Sequence, residues 1–561
     1  MIRRCVRSIP IITLLLIFFY YQNVYAANNY VELSIPASNN AYFNNLEFPT
    51  TTIADPFILK NNDTYYIYSS GLVIMKSTDF KNWTKVTSRA IPMESEYNNY
   101  WAPEVYKYNN KFYMFYTAAF YSSNSSSQKR DILVAVSDSP EGPFVKKARI
   151  NSRVNMPIDP NVLFDDDGRI YLYTKSEVGD RGTCCNGDGT AIYVEELNSD
   201  LLSVKSNGIC RKVVEYRSES ASNRWEYNFY EGSYIIKERG KYYIMYSTGN
   251  YNYNYAVGYA VSNSPISGFV KHTTNNTSAL LYGASNTGML RDSTKYIYSP
   301  GHNSVLKVSN DEMYMIYHSA KYSNGNFAER KMNADYMGID SNGNLYVNGP
   351  SNTNQPLPSG NMGLYKLAVS EYTIKSNNTV QNSLKDNINY NVLNTSTSLR
   401  KAPLTPCNTL STLSINIEIP NSKFIEDIWL FGNDGGFGNK TANVIINNKY
   451  IMKNALLGTT GTAKIQIPIL DEPVKNILIN FSSNVVLSEV SIYYKKDVKI
   501  DIKGDVDGNS KVNTKDYILI RKHILSSPKL VGKELKRADV NSDGVINTKD
   551  YIIVRKIILN V

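Results

Sequence analysis

Between residue 50 and about residue 350, a short apolar segment, a tight polar turn and an aromatic segment recur five times. The first copy runs through residues 56–60, turns at Asn61, Asn62 and Asp63, and returns over 65–68. The others occupy 104–116, 161–173, 233–246 and 304–317, turning at Asn109 and Asn110, at 165–168, at 238–240, and at Asn310 and Asp311. β-Branched and aromatic residues suit pleated, half-buried strands, while Asn, Asp and Gly accept the positive φ of tight hairpins. A further strand follows in some copies, as in 132–136 and 256–260. Hairpins repeated tens of residues apart predict blades around an axis, here a five-bladed β-propeller. Unrelated hairpins packed as a sandwich are the weaker alternative.

Just ahead of the first strand of successive copies stand Asp55, Trp101, Asp159, Glu231 and His302. The first strand of a blade is the innermost, so its leading end opens on the central channel. Five such positions are expected to converge on one pocket. Singly, Asp55 before Pro56 or Asp159 before Pro160 reads as turn chemistry. Three carboxylates, an aromatic ring and an imidazole at repeat positions read as a site. Carboxylates without a nucleophilic Ser or Cys partner suggest acid–base cleavage of a glycosidic bond. Glu231, among aromatic neighbours, is the expected general acid and Asp55 the expected general base. Asp159 would orient Glu231 and keep it protonated by like-charge repulsion.

The residues Ala54, Asp55 and Pro56, Trp101 to Glu104, Ile158 to Pro160 followed by 165–168, Tyr230 to Gly232, and Gly301 to Asn303 together resemble glycoside hydrolase family 43. The resemblance covers residue 50 to about 350. It implies a five-bladed propeller and inversion at the anomeric carbon, with working carboxylates roughly 6.5–9.5 Å apart. It also implies substrate contacts from Trp101, Tyr230, His302 and Arg330, and an ion or ordered water near His302. Ser233 stands where many members have proline, a change expected to leave the backbone much the same.

After a turn-rich boundary at 353–360, alternation with a period of two resumes in 413–419, 442–446, 463–468 and 485–492. This predicts a β-sandwich accessory module, vaguely similar to galactose-binding-like modules. No residue set in it defines a binding site.

The tail carries a twofold repeat. Asp505, Asp507, Asn509, Asn513 and Asp516 recur as Asp539, Asn541, Asp543, Asn547 and Asp550. Each set puts oxygen ligands at loop positions one, three, five, nine and twelve, as calcium requires, and each loop leads into an amphipathic stretch. Both loops end in Asp rather than a bidentate Glu. The unit resembles a type I dockerin, which implies two Ca²⁺ ions and a cohesin partner on a scaffolding protein. Thr514, Lys515, Thr548 and Lys549 are the expected partner contacts, and the likeness of the halves implies that either can face the partner.

Composition narrows the reading. The 561 residues are 42% hydrophobic with 45 Tyr, too apolar for a disordered chain. Tyr rings also suit the apolar faces of sugars. The net charge of +10 is concentrated in the tail: from Lys495 onward there are fifteen Lys or Arg and nine Asp or Glu. A nucleic-acid protein would spread that charge over its main domain. Five Cys and four His exclude a disulfide scaffold and a His-rich metal site, although Cys184 or Cys185 can bridge to Cys210 in an oxidising compartment. Arg3, Arg4 and Arg7 ahead of an apolar run and Ala26 read as a secretory leader.

The expected chain is mainly β: a signal peptide at 1–26, a propeller at 27–352, a β-sandwich at 361–497 and a small α-helical dockerin at 500–561. The expected function is secreted, cellulosome-borne, inverting hydrolysis of arabinose- or xylose-containing cell-wall polysaccharide, of α-L-arabinofuranosidase, β-xylosidase or arabinanase type. Neither nucleic acid nor a membrane span is expected. The alternatives are a galactan-trimming hydrolase, a fructan-cleaving propeller working by retention, and a propeller that binds carbohydrate without cleaving it.

Overall fold

The computed structural model describes residues 30–48, 52–121, 128–176, 191–215, 226, 230–272, 279–284, 291–389, 408–432, 436–496, 503–509, 511–526 and 529–559. The leader and Cys184, Cys185 and Cys407 lie outside them. Cys210 is disulfide-bonded.

The five repeats form five separate antiparallel sheets, the blades of a propeller. Their innermost strands are Phe57–Asn61, Asn99–Tyr108, Ile158–Phe164, Tyr230–Glu238 and Tyr298–Ser309, in blades I to V. Each pairs with the strand that follows the polar turn, as alternation and turn residues predict. Asn109 and Asn110 in blade II both have positive φ, the geometry of a type I′ hairpin.

Blades adhere through apolar seams. Phe57, Tyr68 and Ile74 of blade I meet Val105, Met114 and Leu133 of blade II. Comparable clusters follow around the ring. The ring closes between blades V and I, where Ser304 Oγ accepts from Ile58 N–H at 3.1 Å and donates to the Pro56 carbonyl at 2.8 Å. A strand ahead of the propeller, Tyr42–Phe43, pairs with Gln355–Pro356 behind it. Asn45 clamps the backbone of Ala334 from both sides.

The accessory region is a nine-stranded sheet built on two long strands, Leu410–Gly432 and Val474–Lys495. Their first halves pair at Ile415 with Ile479 and Ile417 with Ile477, and their second halves at Ile428 with Ile492 and Leu430 with Val490. Side chains from both halves enter one core, so the sheet folds over on itself. Its outer face is also used: Trp429, Phe431 and Tyr493 join Phe43, Phe80, Tyr314 and Ile316 in the cluster over the closing seam. The accessory sheet therefore covers the one joint of the ring that is made by chain ends distant in sequence.

The tail has helices Thr514–Ile524, Lys533–Ala538 and Thr548–Leu559 around a small core of Val506, Ile520, Leu530, Ala538 and Val554. Among the described residues no helix is long and apolar enough to cross a membrane.

Candidate active site

At the channel end of each innermost strand a residue at an equivalent position lies in the left-handed region: Asp55 (φ 53°), Ala102 (φ 42°), Asp159 (φ 55°), Gly232 (φ 57°) and His302 (φ 50°), with Ser299 a second one in blade V. In blades II to V a break in strand register accompanies it. The sequence reading placed Trp101 and Glu231 at this repeat position; they occupy the preceding one. Gly232 is obligatory, because a Cβ would lie 2.8 Å from His302 Cγ.

Thr117, Lys175, Ser247 and His318 in the second strands of blades II to V, and Ser70 just past that of blade I, come to the same level. Four of these accept the N–H of the left-handed residue in the next blade: Ser70 from Ala102 at 2.9 Å, Thr117 from Asp159 at 2.9 Å, Ser247 from His302 at 2.7 Å and His318 Nδ1 from Asp55 at 3.1 Å. Lys175 has no lone pair to offer when charged. At that seam Gly232 N–H donates instead to Asp159 Oδ2 at 2.9 Å. The exception ties Asp159 to the strand that carries Glu231.

These constraints bring Asp55, Asp159, Glu231, His302 and Arg330 together. Asp55 Oδ1 accepts from Arg330 Nη1 at 2.9 Å and lies 3.1 Å from His302 Nδ1, and its Oδ2 accepts from Ser70. Burial alone would raise the Asp55 pKa, but the charges of Arg330 and His302 hold it well below the usual carboxylate range. Glu231 is displaced the other way. Burial and then the charge of Asp159 raise its pKa, against opposing effects of Lys175, a 2.7 Å hydrogen bond from Tyr255 and the charge of His302. Asp159 is also raised, chiefly by burial, with the His302 charge opposing. His302 is pushed up to about 9, because Asp55 and Asp159 outweigh the effect of its burial. Two neighbouring carboxyls are thus displaced in opposite directions, Asp55 downward and Glu231 upward, the kind of separation that acid–base cleavage uses.

Sequence reasoning missed the frame behind these groups. His318 is fully buried, lowered to about 4 by burial, and stacked on Tyr255 with centroids 5.5 Å apart. Tyr255 in turn holds Glu231, so a single stacked pair positions both the Asp55 and Glu231 strands. Gly301 permits this, since a Cβ there would fall 2.0 Å from the Tyr255 ring. A fourth buried carboxyl, Glu104, accepts from Asn161 Nδ2 at 2.9 Å and from Tyr106, and burial pushes it to about 8.

Two expected contacts differ from the rest. Trp101 is half-buried at the channel end of blade II, packed on Tyr121 at 5.4 Å. Tyr230 is not in the pocket. Strand alternation turns it away from Glu231 into the core between blades III and IV, where its hydroxyl meets Glu226 at 2.9 Å.

In the tail, Asp505, Asp507 and Asp516 offer carboxylate oxygens within 4.8 Å of one another. The two loops share their wiring. Asp516 Oδ2 accepts from Asn513 N–H at 2.8 Å and Asp550 Oδ2 from Asn547 N–H at 3.0 Å. Asn513 and Asn547 accept from Lys515 and Lys549 N–H at 2.9 and 2.8 Å. Asn509, Asn541, Asp539 and Asp543 complete these loops, and Thr514, Lys515, Thr548 and Lys549 are exposed.

The family model for glycosyl hydrolases family 43 matches residues 49–345, and that for the type I dockerin domain matches 503–559. An extracellular endo-α-(1→5)-L-arabinanase of Thermotoga petrophila is 26% identical over 262 residues, covering 39% of this chain and 50% of that one. A β-xylosidase of Xylanibacter ruminicola is 28% identical over 184 residues, covering 30% and 54%. The chain spans about half the length of these curated relatives. A solved thermostable family-43 glycoside hydrolase is 31% identical, with a TM-score of 0.45, covering 57% of this chain and all of that one. With more than half of its length matched by the family model and the carboxylates of its motifs gathered in one channel, this chain belongs to glycosyl hydrolases family 43.

Proposed function

We propose that the protein cleaves arabinose- or xylose-containing plant cell-wall polysaccharide with inversion. Asp55 draws a proton from the attacking water, Glu231 protonates the leaving oxygen, and Asp159 raises and orients Glu231. The observation that carries this reading is the opposite displacement of Asp55 and Glu231 inside one frame of His318, Tyr255 and Arg330. A propeller that only bound sugar would have no use for that separation. His302, Arg330 and Trp101 line the sugar's position. The pentose substrates rest on likeness to relatives named as arabinanase and β-xylosidase.

In this reading the propeller within 27–352 carries the chemistry, 361–497 brace its seam together with the strand Val31–Glu32, which pairs at Tyr450 and Ile451 with the accessory sheet instead of a blade, and 500–561 attach the secreted enzyme to a cohesin module through Thr514, Lys515, Thr548 and Lys549. Each tail loop holds one Ca²⁺ through its five oxygen-bearing side chains. A further ion at the propeller centre fits His302 poorly, because its Nδ1 faces Asp55 and it stays protonated. His318 Nε2 is buried without a partner at that level, and because Nδ1 accepts the Asp55 N–H, the neutral ring carries its proton on Nε2, so that atom would donate to an ordered water rather than hold a cation.

Proton NMR of the first-formed sugar from arabinan, arabinoxylan and xylo-oligosaccharides tests the reaction. Inverted anomeric configuration is expected; a product of retained configuration is incompatible with these roles.

A further inference from the structure

The hairpin of blade V outgrows its neighbours. Its strands Glu312–Ser323 and Asn326–Ile339 are 12 and 14 residues long and join at Asn324 and Gly325, both at positive φ. The rising strand continues past His318 to Ser323, about 16 Å further at about 3.3 Å per residue. A wall therefore stands beside the channel mouth. Tyr322 fastens it to blade IV by donating to the Asn252 carbonyl. The turn so held presents Tyr251, whose ring packs on Phe327 at 5.8 Å and on the Arg330 guanidinium at 4.7 Å.

Three facts make this more than hairpin packing. Tyr251 and Phe327 remain 41% and 38% exposed although they touch each other. Arg330 stacks on Tyr251 and donates to Asp55 from its Nη1 edge, so the platform lies one guanidinium from the expected base. Beside it Lys321 pairs with Glu329 at 2.6 Å and Arg330 with Asp55, while the Arg291 guanidinium stacks on Tyr322 at 4.4 Å. An exposed aromatic pair suits the C–H face of a sugar ring.

We propose that Tyr251 and Phe327 form a platform that holds a sugar unit of the polymer next to the bond being cut. The proposal rests on the hydrolase reading above. A polymer anchored there reaches the carboxylates with one more contact than a short aryl glycoside makes, so the platform sets a preference for chains.

The test compares wild type with Tyr251→Ala/Phe327→Ala on soluble arabinan and arabinoxylan and on 4-nitrophenyl pentosides. The ratio of polymer to aryl-glycoside kcat/KM is expected to fall about tenfold, equivalent to about 1.4 kcal/mol. Tyr251→Phe and Phe327→Tyr, which keep the rings, are expected to restore it. A ratio within twofold of wild type overturns the platform, as does failure of the ring-retaining variants to restore it. Should the double variant not fold, Phe327→Ser at the exposed hairpin tip carries the same comparison. If wild type hydrolyses none of the substrates, the reading of the catalytic carboxylates has failed. Retardation of the full chain in arabinan-containing native gels, lost or kept in the double variant, then still decides the platform.

Discussion

The propeller and the tail are both built from repeats, and they use repetition in opposite ways. At the left-handed turn of the five blades stand five residues of four types: Asp55, Ala102, Asp159, Gly232 and His302. The backbone device is the same each time, and only the side chain changes. In the tail, the two loops keep acceptors of the same kind at matching positions, down to Asn513 and Asn547 capping their helices alike. Units that converge on one point must diverge to make chemistry there. Units that each close their own loop have no such pressure and stay alike. Losses in the propeller should therefore be all-or-none, and losses in the tail graded.

The largest effect should come from the two divergent carboxylates. Asp55→Asn and Glu231→Gln are each expected to lower kcat about a thousandfold, within the range of general acid–base contributions, with the circular dichroism spectrum retained. Asn keeps the shape beside Arg330 and Ser70 but cannot take a proton from water. Gln keeps an acceptor for Tyr255 but has no proton to give. Steady-state rates on arabinan and arabinoxylan check this. A variant within tenfold of wild type would take that residue out of its role.

The tail should answer in halves. Asp516→Ala and Asp550→Ala are each expected to lower the Ca²⁺ stoichiometry in titration calorimetry from about two to about one, and the double variant to abolish binding. Each removes the buried carboxylate that gathers the backbone N–H groups of its own loop, Asp507 and Asn513 in one, Val540 and Asn547 in the other. Complete loss from either single change would mean that the two loops act as one unit, and the contrast with the propeller would fall.

The blades were legible because their signals are local: an apolar segment, an Asn- or Gly-bearing turn and a Tyr-rich return. Asp55, Asp159, Glu231, His302 and Arg330 were legible because they stand at recognisable motifs or near the repeat ends. The frame behind them was not, although a trace of it exists. Ser70, Thr117, Lys175, Ser247 and His318 each follow by one or two residues a Tyr of a returning strand, at Tyr68, Tyr116, Tyr173, Tyr246 and Tyr317. Reading the hairpins only as far as those tyrosines stopped just short of His318. Tyr230 failed for a simpler reason. Adjacent strand residues face opposite sides, so a neighbour of Glu231 in sequence is the residue least able to share its pocket. The tie between the accessory sheet and the closing seam joins Trp429 to Phe43, and no local pattern encodes that contact.

The seam at Lys175 offers the finest test, because it is where the fivefold rule breaks. Lys175 is buried, and its charge favours the ionised forms of both Asp159 and Glu231. The groups facing Glu231 are Asp159, Lys175, Tyr255 and His302. In the proposed roles Glu231 acts in its protonated form, so the rate is expected to fall as pH rises through its raised pKa, with an acidic limb set by Asp55 below the usual carboxylate range. Lys175→Met removes the positive charge, lets both carboxyls rise further, and should move the alkaline limb of kcat to higher pH with the acidic limb nearly in place. Lys175→Ser removes the same charge but also supplies the acceptor found at three other seams. Gly232 N–H can then turn to the new hydroxyl, and Asp159, losing a hydrogen bond to its ionised form, rises more than in the Met variant. A more protonated Asp159 repels Glu231 less, so the Ser variant should shift the alkaline limb less than the Met variant. Equal shifts would show that charge alone governs this seam. No shift in either would mean that the carboxylates are set by burial and by each other, and that Lys175 serves the fold rather than the reaction.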